Sequence, residues 1–310
     1  MIKTGFSFLG EYFEGEKIQG GASDRQFVLF SYKGKQALAV FFKGDALTGF
    51  RPYLEVTSAL ISSGISVPAV MDYDPDKKII AVEYVEGRPL SLVFEAGEAR
   101  INHFRLAGEL LGRLHLTDIK LPCSFDREKY DFEYNFHFVK KLLAYLCPAG
   151  TPAGISGFRD FYFEITDYLC RRPFVFTHRD YQSSNLICAG DGMTVIDYQD
   201  ARNGPAEYDI ASFLYDSYID PGEENKKAFI SSYFEVSGAD PGPDFDKTLD
   251  YCAIQRKIHD AGAFIYASER LPGSGYLRYV EKAVADFCAV AGKYHTNPLL
   301  RWLPGAARKK

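Results

Sequence analysis

The residues that could do chemistry crowd into one stretch, Thr177 to Asp209, reading THRDYQSSNLICAGDGMTVIDYQDARNGPAEYD. Four residues separate Asp180 from Asn185, and Asp197 follows an apolar hairpin. A carboxylate able to orient a hydroxyl and accept its proton, with an amide and a second carboxylate able to hold magnesium on nucleotide phosphates, is what phosphoryl transfer requires. Asp180 is the candidate base, and Asn185 and Asp197 are the candidate metal ligands. The local pattern suits the task. Phe174–Phe176 reads as a short buried strand leading into His178-Arg179-Asp180. Leu186–Cys188 leaves as a strand, Ala189–Gly192 turns, and Met193–Ile196 returns to bring Asp197 beside Asn185. His178 is expected to buttress the loop, while Arg179 either hydrogen-bonds loop carbonyls or reaches the substrate.

These residues need a scaffold, and the chain supplies two kinds. Residues 15–43 read as three short strands, Gly15–Gly20, Phe27–Tyr32 and Gln36–Phe42, with a tight turn at Lys33–Lys35. Between the first two lies GGASDRQ, either a small-residue loop whose amides approach phosphates or an ordinary hairpin turn. Phe50–Gly64 reads as a helix. Val67–Tyr73 and Lys78–Tyr84 form a second hairpin that runs into Gly87 and Pro89, the punctuation of a crossover between lobes. From Ala96 the apolar period becomes helical. Helices fit a core segment around Phe104–Leu114, then Lys129–Leu146, Phe158–Cys170, Tyr208–Tyr218, Glu223–Phe234, Asp244–Ser268 and Gly275–Tyr294. His115 is expected to be a packed or capping histidine, and Asp209 to serve a first helical turn. The pattern gives an α+β protein with a strand-rich lobe over 1–86 and a helix-rich lobe over 87–310.

Bulk properties narrow the function. The 310 residues carry a net charge of −5, so no basic face advertises a nucleic-acid partner. Six cysteines lack metal-ligand spacing and read as reduced thiols. The first residues do not form a signal peptide and no apolar run reaches membrane-span length, so a cytoplasmic protein is expected; a monomer is expected rather than an obligate oligomer. Residues 88–310 carry 27 Lys/Arg against 30 Asp/Glu, without the strong acidity that a polycationic substrate would favour.

The segment HRDYQSSNLI…VIDYQDARNGPAEYDIASFLYD resembles the aminoglycoside phosphotransferase-like kinases, a branch of the protein-kinase-like two-lobed fold. Asp197-Tyr198-Gln199 replaces the DFG of protein kinases, and no APE segment follows. Within the branch, Ile196–Ala201, Gly204-Pro205, Tyr208-Asp209-Ile210 and Ile254–Phe264 are similar to the bacterial anomeric kinases of N-acetylmuramate and N-acetylglucosamine, with Gln182 where that subgroup has His. The resemblance implies ATP and Mg2+ as cofactors and a small-molecule acceptor, an amino sugar phosphorylated at C1. It further implies phosphate contacts from Ser23, Arg25 and Lys43 and adenine against the backbone near Glu83 and Val85, while Glu55 either pairs with Lys43 or faces water. Lys43 is otherwise a solvated strand-end residue. Asp200, Arg202 and Asn203 either line the sugar pocket or brace the loop. Arg256 either meets a substrate carboxylate or is a surface or ion-paired arginine. Other acceptors within the branch are an aminoglycoside, choline, homoserine or a ketosamine; a different class is an inactive nucleotide-binding module.

Overall fold

In the segment Gln26–Tyr32 the buried positions are Val28, Phe30 and Tyr32, every second residue. That alternation organises the amino-terminal part of the computed structural model, which describes residues 2–18, 25–42, 49–148, 150 and 152–309. Six strands, β1 (Ile2–Phe8), β2 (Glu11–Ile18), β3 (Gln26–Tyr32), β4 (Lys35–Phe41), β5 (Val70–Asp74) and β6 (Ile79–Glu83), form one antiparallel sheet in the order β1-β2-β3-β4-β6-β5. One face buries a small cluster that includes Phe8, Phe30, Tyr32 and Ile79. The other presents Val40, Phe42, Ile80 and Val82 to the main core. There they meet helix α1 (Phe50–Ser62), which buries Tyr53, Val56, Thr57 and Leu60 at i, i+3, i+4 and i+7. Glu55 faces outward on that helix.

The sheet is larger than the expectation of a first strand at Gly15. An earlier hairpin, β1–β2, turns at Leu9 and Gly10, both left-handed with φ of 51° and 84°. That pair of conformations matches the strand twist. Its apolar face is little more than Phe6, Phe8 and Phe13, with polar residues and glycine around them, so the sequence signal is thin.

The crossover is tied to the chemistry-bearing hairpin. Strand β7 (Arg88–Pro89) pairs with β9 (Leu186–Ala189), after β8 (Val175–Thr177) and before β10 (Gly192–Val195) and β11 (Arg202–Gly204). A Cβ on Gly87 would lie 2.4 Å from the Cys188 carbonyl oxygen, so only glycine allows this approach.

The remainder is helical: α2 (Leu90–Glu95), α3 (Ile101–His115), α4 (Arg127–Glu133), a π-helical segment (Tyr134–Leu143), α5 (Ala144–Leu146), α6 (Ile155–Leu169), α7 (Ala206–Leu214), α8 (Gly222–Ser237), α9 (Phe245–Arg270), α10 (Val280–Ala291) and α11 (Pro298–Ala307). The 26-residue α9 is buried around most of its circumference and is the axis of this lobe. The expected helix over Lys129–Leu146 is present as a run whose middle widens into π geometry. Sequence reading did not identify α2 or α11. The second is marked by Asn297, whose side chain accepts from the Leu299 amide at 2.8 Å, and by Pro298 in the first turn. The fold is α+β, with a small β-rich lobe carrying one helix and a larger, mostly helical lobe. All six cysteines are free thiols. Among the described residues no helix is long and apolar enough to cross a membrane.

Helices α3 and α8 approach at Gly108, where a Cβ would stand 2.2 Å from the Phe229 carbonyl oxygen, whereas Gly305 in α11 opens on empty space. Gly108→Ala is expected to lower stability by about 1–3 kcal/mol. Gly305→Ala should be neutral or stabilising by up to about 1 kcal/mol. Urea denaturation of the two variants checks the pair.

Candidate active site

The segment after β8 turns through a conformation that side chains disfavour. Arg179 has φ of 76° without being glycine. Asp209, fully buried in the first turn of α7, holds it there: its carboxylate accepts from the His178 amide at 2.6 Å and from the Arg179 amide at 2.8 Å. His115 approaches the same carboxylate at 3.2 Å and Tyr233 on its other side at 2.9 Å. Asp209 is therefore the brace of this loop, more than the first-turn residue its position suggested. His178 adds a second brace. Its Nε2 donates to the Ile196 carbonyl at 2.9 Å, and its Nδ1 accepts from the Asp180 amide at 3.2 Å.

The loop then folds Asn185 back onto Asp180. Asn185 Nδ2 donates to the Asp180 carbonyl at 2.8 Å, and the Ile196 amide donates to the Asn185 carbonyl at 3.0 Å. Asp197, next in the chain, is also left-handed, with φ of 66°, and accepts from Gln199 Nε2. Asp216 completes the frame by accepting from the Ser183 amide at 2.7 Å. Asp180, Asn185 and Asp197 all line one cavity of about 640 Å³.

The cavity has two ends. Toward the sheet it is apolar, walled by Phe27, Leu38, Val40, Val82 and Ile187, and closed by the crossover at Glu83–Val85. The Glu83 amide is already used by the Ala69 carbonyl at 2.8 Å, whereas the Val85 amide has no partner among the described residues. Away from the sheet the wall is one face of α9, with Arg256, His259, Asp260, Ala263, Phe264 and Ala267, joined by Tyr218 and Tyr276.

Electrostatics centre on Asp180. Burial works to raise its pKa, but the guanidinium groups of Arg256 and Arg179 outweigh burial and hold the carboxyl well below the usual carboxylate range. Arg256 Nη1 lies 2.5 Å from Asp180 Oδ1, and its Nη2 reaches Gln182 Oε1 and Asp260 Oδ1, each at 2.9 Å. Asp197 moves the other way. Partial desolvation by the surrounding walls raises it against the Gln199 hydrogen bond and the Arg25 charge, and Asp180 and Asp200 add repulsion.

The candidates from sequence divide clearly. Arg25, Glu83, Val85, Asp180, Asn185, Asp197 and Arg256 line the cavity. Ser23 and Lys43 lie outside the described residues. Arg179, Asp200, Arg202 and Asn203 do not line it. Arg179 turns inward to Glu133 at 3.6 Å, and Asp200 pairs with Arg25 at 3.5 Å. Asn203 braces the segment before α4: its Nδ2 donates to the Leu121 carbonyl at 2.7 Å and its Oδ1 accepts from the Leu121 amide at 3.3 Å. Arg202 sits beside it on β11. Arg256 has its terminal nitrogens committed to Asp180, Gln182 and Asp260, so it is an ion-paired rather than a surface arginine. Sequence reading missed His259, Tyr218, Phe264 and Tyr276. The signal for the α9 residues was the polar-and-small stripe at 256, 259, 260, 263 and 267, one face of a helix, with Phe264 beside it.

A family model described as "Phosphotransferase enzyme family" matches residues 14–251. A relative from Pseudomonas aeruginosa, an N-acetylmuramate/N-acetylglucosamine kinase, is 25% identical over 271 residues, 81% of this chain and 78% of the relative. Among solved structures, a choline/ethanolamine kinase family protein from Mesorhizobium loti gives a TM-score of 0.62 at 16% identity, covering 96% of this chain and 92% of that one. A thermostable mutant of an aminoglycoside phosphotransferase, in ternary complex with ADP and hygromycin B, gives 0.62 at 11% identity, covering 91% and 95%. At such identities the structural matches establish a shared fold, the protein-kinase-like one expected from sequence.

Removing Arg256 tests the electrostatic frame. Because the pKa of Asp180 is depressed in the folded state, its stabilising contribution is present above the unfolded value of about 3.9 and is lost as pH falls through the lower folded value. Arg256→Gln leaves the partly exposed Asp180 carboxylate without its main partner, so a loss of about 1–3 kcal/mol is expected at pH 7. Asp180 then titrates higher, and the gap to wild type should shrink as pH falls toward 4. Urea unfolding across that range checks it; a gap independent of pH contradicts the assignment.

Proposed function

Since the chain belongs to the phosphotransferase enzyme family, we propose that it is an ATP- and magnesium-dependent kinase of an amino sugar, transferring phosphate to the anomeric C1 hydroxyl of an N-acetylmuramate- or N-acetylglucosamine-type acceptor. The observation that carries the reading is the meeting of Asp180, Asn185 and Asp197 in one cavity between an apolar slot and the α9 wall. The P. aeruginosa relative supports the acceptor class. The charge balance does too. Asp260 is neutralised by Arg256 and Lys257, and Asp180 by Arg256, so the acceptor end offers little uncompensated negative charge to a polycation.

In this account residues 1–86 and 87–310 form two lobes with the nucleotide between them. The apolar slot takes the base, and the Val85 amide meets its edge. Arg25, with Ser23 and Lys43 from the segments outside the described residues, contacts phosphates. The donor set at the centre fits a hard divalent cation. Asp197 is an accessible carboxylate on the cavity wall beside two others, and bonding of Asn185 Nδ2 to the loop leaves the amide oxygen as the available atom. Asn185 and Asp197 would hold magnesium, which supplies charge neutralisation on the transferring phosphate. Asp180 accepts the hydrogen bond of the acceptor hydroxyl, aims its oxygen at the phosphorus, and receives the proton as the new bond forms. Its depressed pKa suits orientation more than strong basicity, which a loose transition state tolerates. Arg256 keeps the carboxylate in place. The rings of Tyr218, Phe264 and Tyr276 favour one second reading, a quaternary ammonium acceptor such as choline.

Asp180→Asn should retain Mg-nucleotide affinity within about threefold and lose about 10²–10⁴-fold in kcat. Asp197→Ala should instead weaken Mg-dependent ADP binding by about tenfold or more, as lost coordination does. Calorimetric titration of ADP with and without magnesium, beside ADP release over a panel of sugars and choline, reads both. Near-normal turnover in the first variant, or unchanged magnesium-dependent affinity in the second, removes the corresponding role.

A further inference from the structure

Glu133 is a fully enclosed carboxylate about which four side chains converge. Lys129 meets Oε1, Arg179 stands 3.6 Å from it, His259 Nδ1 lies 2.7 Å from Oε2, and His137 Nε2 lies 3.3 Å from the same atom. These residues come from α4, the π-helical segment, α9 and the loop before Asp180. The approach of α9 depends on Gly262, where a Cβ would fall 2.4 Å from the His137 carbonyl oxygen. It brings the His137 and His259 rings to 4.2 Å between centroids. A π turn in the middle of a helix is an unusual geometry that recurs at functional sites.

Of this group, His259 lines the cavity. Burial pushes Glu133 up, but the neighbouring His259 and Lys129 outweigh it and hold the group well below the usual carboxylate range. An ionised carboxylate can only accept hydrogen bonds, so His259 Nδ1 carries a hydrogen. Nε2, on the opposite edge of the ring, has no hydrogen-bond partner among the described residues and is not sealed from the cavity. His137, driven down to about 2 chiefly by burial, stays neutral behind it. The three groups lie within 4.8 Å of one another, the proximity of a metal cluster. The 2.7 Å nitrogen-to-oxygen separation and the two cations on the same carboxylate make it a hydrogen-bonded anchor instead.

We infer that His259, fixed by Glu133, is an acceptor-binding residue whose Nε2 edge engages a hydroxyl of a sugar seated along α9. The inference rests on the sugar-kinase reading above and extends it. Beside His259 the helix offers Ala263 and Ala267, small enough to admit a ring, and Phe264 stacks with Tyr276 at 6.2 Å and 17°. A flat aromatic surface beside one fixed hydrogen-bonding group matches a pyranose, which has an apolar C–H face and a hydroxylated edge. Lys129, Arg179 and His137 act through Glu133 and are positioning residues.

His259→Asn keeps an amide donor near the place of Nδ1 and removes the Nε2 edge; His259→Gln reaches nearer to that edge. Steady-state ADP release is measured with N-acetylglucosamine, N-acetylmuramate and monodeoxy analogues of whichever sugar wild type uses. His259→Asn should raise the sugar KM roughly tenfold, the scale of one lost hydrogen bond in a formed site. The ATP KM should stay within about twofold and Tm should be nearly unchanged, with partial recovery in His259→Gln. One deoxy analogue should be impaired with wild type and no further impaired with His259→Asn. An unchanged sugar KM in a folded variant, or an equal penalty on ATP, overturns the inference while leaving the sugar-kinase reading intact. No phosphorylated sugar from wild type overturns both. If both variants fail to fold, Ala267→Phe, which fills the same wall, should raise the sugar KM and spare the ATP KM; indifference to it overturns the proposed seat.

Discussion

The site depends on one buried carboxylate gripping a strained turn. Arg179 occupies a left-handed conformation that disfavours a side chain by about 1–3 kcal/mol. The two amide hydrogen bonds to Asp209 are what the alternative conformations would forfeit. Asp209 has 0% exposure, so an unmet loop amide would find no water to replace it. Through this grip the direction of Asp180 is set by α7, and through His115 by α3 as well. The second left-handed residue, Asp197, turns back toward Asn185 by the same logic, with the β9–β10 hairpin in place of a helix as its support.

Around that grip the buried charges form one connected system. Arg256 joins Asp180 to Asp260, Lys257 joins Asp260 to Ser217, and Arg179 joins the loop to Glu133. Each charge is costly alone and tolerable in company. The arrangement keeps Asp180 ionised and oriented without making it a strong base. It also makes α9 the structural counterpart of the sheet: one side of the cavity is set by β-strand alternation, the other by a helical stripe.

How much of this could be read in advance follows from range. Asp180, Asn185 and Asp197 are placed together by a strand, a loop and a hairpin contiguous in sequence, so their spacing alone carried their proximity. The two-lobed α+β character was legible from the change of apolar period near residue 96. The first hairpin was not, because its apolar face is only three phenylalanines, Phe6, Phe8 and Phe13. Asp209 was misjudged because its position at a helix start has a common local explanation, while its true partners lie 30 and 31 residues earlier. Arg202 and Asn203 sit close in sequence to the metal-binding candidates but on the far side of a turn, where β11 pairs with β8 and carries them away from the cavity. His259 and Glu133 meet across 126 residues through the packing of α9 on a π-helical turn, and no local pattern encodes that contact.

In the proposed function this constellation moves phosphate to the anomeric hydroxyl of an N-acetyl amino sugar. Phosphorus NMR of wild-type protein incubated with ATP, magnesium and N-acetylglucosamine or N-acetylmuramate tests it most directly. A new phosphomonoester resonance split by the sugar H1 proton is expected, growing as ATP is converted to ADP. A spectrum that shows no sugar phosphate with either acceptor, or a phosphate coupled to any other sugar proton, contradicts the account.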